Sequence, residues 1–208
     1  MKYTNIFISS DLHVQHQRIL EICPNRKILG STVEEHDLEL IKRHNEKVTN
    51  EDLVIYVGDL IMGKKSETVP KYLPMLNGIK ILIPGNHDFL PSELTNNKEK
   101  LSWYENLYLT NGISQICYGC ISLSMITNDV KHNNIKLCHF PPVSERDFND
   151  YYDEKYKLLR PKINENEILL YGHTHSLNHR INKNCYHIGI DTKECNFYPF
   201  NLNELNIL

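Results

Sequence analysis

Short, largely apolar runs, each cut off by a cluster of acids, amides and histidines, constrain this chain more than any other feature. Ile6, Phe7 and Ile8 run into Ser9-Ser10-Asp11-Leu12-His13, residues 53–57 into Gly58-Asp59, and residues 79–83 into Pro84-Gly85-Asn86-His87-Asp88. Residues 135–138 run into His139, and residues 168–171 into Gly172-His173-Thr174-His175. A strand that alternates apolar and polar residues has one wet face, whereas a continuously apolar run is a strand covered on both faces. Covered strands need layers on either side. The chain is therefore expected to be α/β, with its polar clusters at strand ends.

The segments between the runs supply covering elements. Thr32-x-x-Glu35 is a capping box, and Leu38, Leu40 and Ile41 give the helix that follows an apolar stripe reaching about Val48. A short helix is expected over residues 66–76, limited or kinked by Pro70 and Pro74. Residues 91–104 read as a polar, lid-like loop with one helical turn near Trp103. In the second half, residues 113–117, 119–126 and 135–138 read as a meander that ends at His139, because Pro141-Pro142 cannot continue a strand. Some helix is expected in residues 147–160, where Tyr151, Tyr152 and Tyr156 pack on the core, and residues 186–190 and 197–202 complete a sheet. No repeat or linker divides the chain, so residues 1–208 are read as one domain.

Composition excludes several classes. With 40% hydrophobic and 24% charged residues the chain has the make-up of a folded globular protein, without a low-complexity tail. A net charge of −3 with scattered Lys and Arg argues against a protein whose main task is gripping extended nucleic acid, and favours a small substrate. The N-terminal residues lack the regions of a signal peptide, and no apolar stretch is long enough to cross a membrane. The cytoplasm is the expected location, that of the host if the chain is of phage origin. Six irregularly spaced cysteines are expected to be reduced thiols; Cys117-Tyr-Gly-Cys120 lacks a matching second pair and reads as a hairpin turn.

The strand-end residues are metal-ligand types. In an extended segment residues i and i+2 project to one side, so Asp11 and His13 are expected to face one ion while Leu12 turns into the core. His173 and His175 are expected to approach a pair of ions together, one toward each. Asp59 suits the bridging place, because a carboxylate has two oxygens and offsets the repulsion of two dications. Asn86 offers a neutral carbonyl oxygen and His139 another imidazole nitrogen. Mixed oxygen and nitrogen donors favour Mn²⁺, Fe or Zn²⁺ over the all-oxygen sites of Ca²⁺. No role is assigned to His36, His44, His132, His179 or His187.

In the order D-x-H, G-D, G-N-H-D, H and G-H-x-H, these blocks resemble the calcineurin-like metallophosphoesterase superfamily from Asp11 to His175. The resemblance implies a four-layer α-β-β-α sandwich with two divalent metal ions, Mn²⁺ first and Fe, Zn²⁺ or Ni²⁺ as alternatives, at the sheets' C-terminal edge. It implies Asp11, His13, Asp59 and His175 at one metal, and Asp59, Asn86, His139 and His173 at the other. It further implies in-line attack on phosphorus by a hydroxide shared between the metals, with His87 protonating the leaving oxygen; Asp88 beside it is expected to orient the His87 imidazole, as carboxylate partners of histidine commonly do. Asp11-Leu-His-Val-Gln-His16 and Gly189-Ile-Asp191 are similar to small bacterial and phage members of the superfamily. There a glycine commonly precedes the second histidine, where Gln15 stands in this chain. His16 and Arg26 lie where that subgroup keeps polar residues, and either is a candidate contact for substrate phosphate.

Two functional classes follow. One is a hydrolase of phosphomonoesters or phosphodiesters in nucleotides or similar small compounds, with a nuclease for short nucleic acid as its variant. The other is a metal-binding scaffold of the same fold without catalysis. Substrate choice is expected to fall to the loops at residues 91–104 and 144–160, because the motifs grip only the phosphoryl group.

Overall fold

The computed structural model describes residues 3–90, 97–143, 156–180 and 183–204. Two mixed sheets carry the chain. The first contains β1 (Ile6–Ser9), β2 (Leu53–Tyr56), β3 (Ile79–Leu82), β4 (Ile113–Ile116) and β9 (Phe200–Asn201), in the order β4-β3-β2-β1-β9. The second contains β5 (Ile121–Ser122), β6 (Ile135–Cys138), β7 (Ile168–Tyr171) and β8 (Cys185–His187), in that order. β9 and β5 pair antiparallel with their neighbours and every other pairing is parallel.

β1, β2 and β7 are buried at every position, which is why their runs are apolar on both faces, whereas β3 and β6 each admit one lysine, Lys80 and Lys136. Ile6 and Ile8 of β1, Leu53 and Ile55 of β2 and Ile81 of β3 point between the sheets, against Ile135 and Leu137 of β6 and Ile168 and Leu170 of β7. Phe7, Val54, Tyr56 and Leu82 alternate to the other face, where they pack with residues of α2 (Val33–Lys47) and α3 (Lys65–Tyr72), including Leu40, Ile41, Val69 and Tyr72. Ile8, Ile55, Leu137 and Leu170 are fully buried, and each stabilises the fold by roughly 2 kcal/mol. Cys138, Leu169 and Tyr171 face outward from the second sheet and meet Leu90, Phe140 and Tyr156. Two mixed sheets with flanking helices are the sandwich that the resemblance implies.

The expected capping box is present, with Thr32 Oγ1 accepting from Glu35 N–H (3.2 Å) and Glu35 Oε2 accepting from Thr32 N–H (3.1 Å). Pro70 lies inside α3, which tightens into a 3-10 turn at Leu73–Met75.

Four expectations need correction. Residues 98–104 are not a loop but the start of helix α4 (Lys98–Thr110), capped by Asn97, whose Oδ1 accepts from Lys100 N–H at 2.9 Å; Leu101, Tyr104 and Leu107 hold it on the first core. Residues 113–138 are not a meander, because β4 lies parallel to β3 in the first sheet while β5 pairs with β6 in the second. Cys117-Tyr-Gly-Cys120 is therefore the crossover between sheets rather than a hairpin turn. Residues 119–126 hold only the two-residue β5 before the chain turns into α5 (Ser124–Thr127). The lid reading of residues 91–96, and the readings of residues 144–155 with Tyr151 and Tyr152, fall outside the described residues; Tyr156 stacks on Phe140 at 5.0 Å. No helix among the described residues is long and apolar enough to cross a membrane.

Candidate metal centre

Because β1, β2, β3, β6, β7 and β8 run parallel within their sheets, their C-terminal ends bring the polar clusters to one edge of the sandwich. The two sheets are joined there by a bridge between Ser10 and Gly189. Asp11 N–H donates to Gly58 O (3.1 Å) and His13 N–H to Asp59 O (2.9 Å), which locks the first cluster to the second. His173 N–H donates to both Asp11 carboxylate oxygens at 3.0 Å, which brings in the second sheet. Gly85 and Gly172 are required by crowding: a Cβ on Gly85 would collide with Asp59 Oδ1, and one on Gly172 with Ser10 Oγ and with Asp11 Oδ2 at 2.5 Å.

The approach of Asp11 to His13 has a different cause from the one expected. The segment is not extended, since Asp11 and His13 have φ of 62° and 54°. Left-handed kinks, not strand alternation, turn both side chains inward. Asp59, His173 and His175 share that backbone region, with φ of 54°, 72° and 50°.

Two groups of donors result. In one, His13 Nε2 lies 3.1 Å from His175 Nε2, 3.6 Å from Asp59 Oδ2 and 3.9 Å from Asp11 Oδ1. In the other, His139 Nε2 lies 3.0 Å from Asn86 Oδ1, 3.3 Å from His173 Nδ1 and 3.5 Å from the same Asp59 Oδ2. Asp11, His13 and His175, and likewise Asp59, His139 and His173, place one donor atom each within 4.8 Å of the others.

Ring tautomers decide what these groups fit. His139 Nδ1 is 2.9 Å from the Val57 carbonyl and His175 Nδ1 is 2.8 Å from Asp191 Oδ2, so both Nδ1 atoms donate. Their Nε2 lone pairs then point into a space already lined by carboxylate, amide and imidazole acceptors. Converging lone pairs repel unless a cation or protons sit among them. Without a cation, protons take that place. Burial opposes charge on His139, yet the Asp59 carboxylate holds it up to about 9. Burial likewise opposes charge on His175, and its bond to Asp191 raises it to about 10. Asp59 stays well below the usual carboxylate range despite burial, because His139 and His13 adjoin it. The donor set fits divalent cations.

A sequence profile of the family described as calcineurin-like phosphoesterase matches residues 4–177. The chain belongs to the calcineurin-like phosphoesterases. That family is metal-dependent, in keeping with the two donor groups. The chain is 30% identical over 198 residues to the Gene 66 protein of Mycobacterium phage L5, covering 90% of this chain and 87% of that one. It is also 30% identical over 196 residues to the Gene 66 protein of Mycobacterium phage D29, covering 90% and 88%. An uncharacterized protein of Methanocaldococcus jannaschii is 40% identical over 89 residues, 42% of this chain and 49% of that one. The crystal structure of a protein of unknown function from Aquifex aeolicus superimposes with a TM-score of 0.62 over 97% of both chains at 20% identity, a likeness of fold.

Around this phosphoesterase centre the remaining candidates divide. His87 is exposed beside the donors: its N–H donates to Asp59 Oδ1 at 2.8 Å, and its ring lies 5.3 Å from His13 and 6.4 Å from His16. His16, half-buried, lines the same mouth. Asp88 does not orient His87. Its buried carboxylate accepts from Asp59 N–H (2.7 Å), Gly85 N–H (3.0 Å), Leu60 N–H (3.1 Å) and Tyr108 O–H (3.2 Å), which saturates its oxygens on the other side. Arg26 does not reach substrate either. It is fully buried, bonded twice to Asp191 (2.6 and 2.8 Å) and to the carbonyls of Asp11 (2.6 Å) and Leu12 (2.9 Å).

Three supporting residues have roles that the sequence did not assign. Asp191 accepts from His175 Nδ1 and fixes its ring, as carboxylate partners of metal-binding histidines do. Cys23 Sγ completes a third donor cluster with His175 and Asp191, but both Asp191 oxygens are held by Arg26, so Asp191 supports a ligand rather than forming another centre. Its signal was the apolar run Ile188-Gly189-Ile190 before it, the same strand-end pattern as the ligands. Tyr108 was hidden because the start of α4, residues 98–104, read as loop and residues 105–110 carried no reading. Asp37 explains Gln15: Gln15 stands where glycine was expected and adopts φ 64°, held by Asp37 Oδ2 on its N–H (2.9 Å) and its Nε2 (2.7 Å).

Proposed function

We propose that the chain hydrolyses a phosphomonoester or phosphodiester bond in a nucleotide or similar small compound, using two divalent cations and His87 as general acid. The observation that carries this reading is the exposed His87, tied through its backbone to Asp59, the carboxylate shared by both donor groups. Asp11, His13, Asp59 and His175 would hold one cation and Asp59, Asn86, His139 and His173 the other. Mn²⁺ is our assignment, with Fe, Zn²⁺ and Ni²⁺ suited to the same mixed donors. When bound, such a pair supplies positive charge for the phosphoryl oxygens and an acidified water. His87 then delivers a proton to the departing oxygen, and His16 faces the phosphate from the same mouth. Val57 and Asp191 keep the tautomers of His139 and His175 that leave Nε2 free. We place the protein in the cytoplasm, the host's if it is phage-borne, a reading its phage relatives support.

The test is hydrolysis of an activated aryl phosphodiester and of an alkyl phosphodiester by Mn²⁺-loaded protein. His87→Asn should keep its metal content and lose about 10²- to 10⁴-fold in kcat on the alkyl ester, with a smaller loss on the aryl ester, whose leaving group needs no proton. Undiminished turnover of the alkyl ester would remove His87 from the acid role. A panel of cyclic nucleotides, mononucleotides, dinucleoside polyphosphates and short oligonucleotides then identifies the substrate class.

A further inference from the structure

The sequence sets Cys120 beside Cys117, but the fold gives it another partner. β5 and β6 run antiparallel with Ile121 opposite Leu137 and Ser122 opposite Lys136, and continuing that register one residue past the start of β5 sets Cys120 opposite Cys138. Leu123 N–H donates to Ile135 O at 2.8 Å, which makes that couple a hydrogen-bonded pair. Alternation along the ladder makes Cys120 and Cys138 a non-hydrogen-bonded pair, the kind whose Cα atoms approach to about 4.5 Å. Disulfides span Cα separations of roughly 4.4–6.8 Å. Both cysteines are free thiols, and Cys138 Sγ donates to Leu159 O at 3.7 Å. Cys117 instead packs toward the core between the sheets, near Gln115 Nε2 (3.2 Å).

Access favours the same pair. Cys120 is exposed while Cys138 is buried. A cavity of about 250 Å³, lined by Tyr118, Gly119, Cys138 and His139 among others, opens beside them. Cys120, the exposed member of the pair, is the thiol that a dissolved peroxide meets first.

We propose that Cys120 and Cys138 are a peroxide-reactive dithiol that closes into a cross-strand disulfide one residue before His139. The Cys120 thiolate attacks one peroxide oxygen and the O–O bond breaks; the departing hydroxide takes up a proton, leaving water and a Cys120 sulfenic acid. Cys138 sulfur then attacks Cys120 sulfur, the S–S bond forms, the S–O bond breaks, and the hydroxyl leaves as water with the Cys138 proton. Two thiols lose two electrons and the peroxide gains them. A dithiol reductant reverses the reaction by exchange.

The proposal does not depend on the phosphoesterase reading, and its assay needs no turnover. Full-length protein is treated with hydrogen peroxide, denatured, alkylated, digested with trypsin and mapped by mass spectrometry. Alkylatable thiols should fall from six to four, and the peptide of residues 101–131 should be linked to that of residues 137–146. Dithiothreitol should reverse both. Cys117→Ser should keep the link and Cys120→Ser should abolish it, and neither side chain is buried, so both variants should fold. A loop closed within residues 101–131, a link that survives Cys120→Ser, or six alkylated thiols after peroxide would each overturn the proposal.

Discussion

Replacing Asp88 by asparagine puts an amide nitrogen at a point where four donors converge. The carboxylate accepts from the N–H groups of Asp59, Leu60 and Gly85 and from Tyr108 O–H, so it ties the β2 loop, the β3 loop and α4 into one unit. Oδ2 takes Asp59 and Gly85, and Oδ1 takes Leu60 and Tyr108. An asparagine that keeps its oxygen at the Oδ2 position turns its NH₂ toward the Leu60 N–H and orphans it, while the Tyr108 hydroxyl can rotate to accept. One orphaned buried donor costs about 1–3 kcal/mol, and loss of the charge weakens the bonds that remain. The expected loss is about 3 kcal/mol. Asp88→Ala orphans three backbone N–H groups and should lose more, whereas Tyr108→Phe gives up one bond and should cost about 1 kcal/mol. Urea unfolding of metal-free protein measures the series, with stability taken from the midpoint at constant m-value. Were Asp88 instead the partner of His87, Asp88→Asn would leave the urea midpoint within about 0.5 kcal/mol of wild type and shift only the pH profile of ester hydrolysis. That outcome would refute the clamp.

Three further outcomes are expected. Asp59→Asn keeps an acceptor for His87 N–H but loses the charge shared by both donor groups, so bound Mn²⁺ measured by elemental analysis should fall from two ions per chain to one or none. Arg26→Met leaves Asp191 charged and buried without its partner, which should cost about 3–5 kcal/mol in thermal or urea unfolding; a raised KM at unchanged stability would return Arg26 to substrate contact. Burial holds His44 down to about 4 against an ordinary 6.5, so the unfolded chain takes up a proton below about pH 6.5 that the folded chain refuses until about pH 4. That contribution, about 3 kcal/mol, is present above pH 6.5 and lost as pH falls toward 4. His44→Gln, which can still donate to Asn77 O, should flatten the decline in urea midpoint between those limits.

The ligands were legible because their signal is local: a buried strand is largely apolar, and the first residues past its end carry the polar atoms. Partners across the chain were not. Nothing in residues 113–126 states that β4 joins β3 while β5 joins β6, because strand pairing is fixed by contacts distant in sequence. Arg26 reads as a surface cation until Asp191, 165 residues away, supplies its counter-charge. The helical spacing of Leu101, Tyr104 and Tyr108 was visible, yet the polar residues among them favoured a loop. Left-handed backbone at Asp11 and His13 is equally silent in sequence, since neither residue is glycine.

That backbone explains why the site needs so much support from residues that never face a metal. A non-glycine residue in the left-handed region costs roughly 1–2 kcal/mol, less for Asp and His than for bulky types. Asp11, His13, Asp59, His173 and His175 all occupy it. The summed cost is on the order of 5 kcal/mol, comparable with the whole stability of a small domain. Each strained loop is correspondingly gripped from behind: Asp88 holds Asp59, Arg26 holds the carbonyls of Asp11 and Leu12, Asp191 holds His175, and Asp37 holds Gln15. These grips are made by the chain's own atoms, whereas a bound cation adds stability that grows as RT ln(1 + [L]/Kd). Substitutions of Asp88 or Asp37 should therefore lower the unfolding midpoint most in metal-free protein and be partly rescued by saturating Mn²⁺, while Asp59→Asn should resist rescue because it removes the carboxylate that lies beside both donor groups.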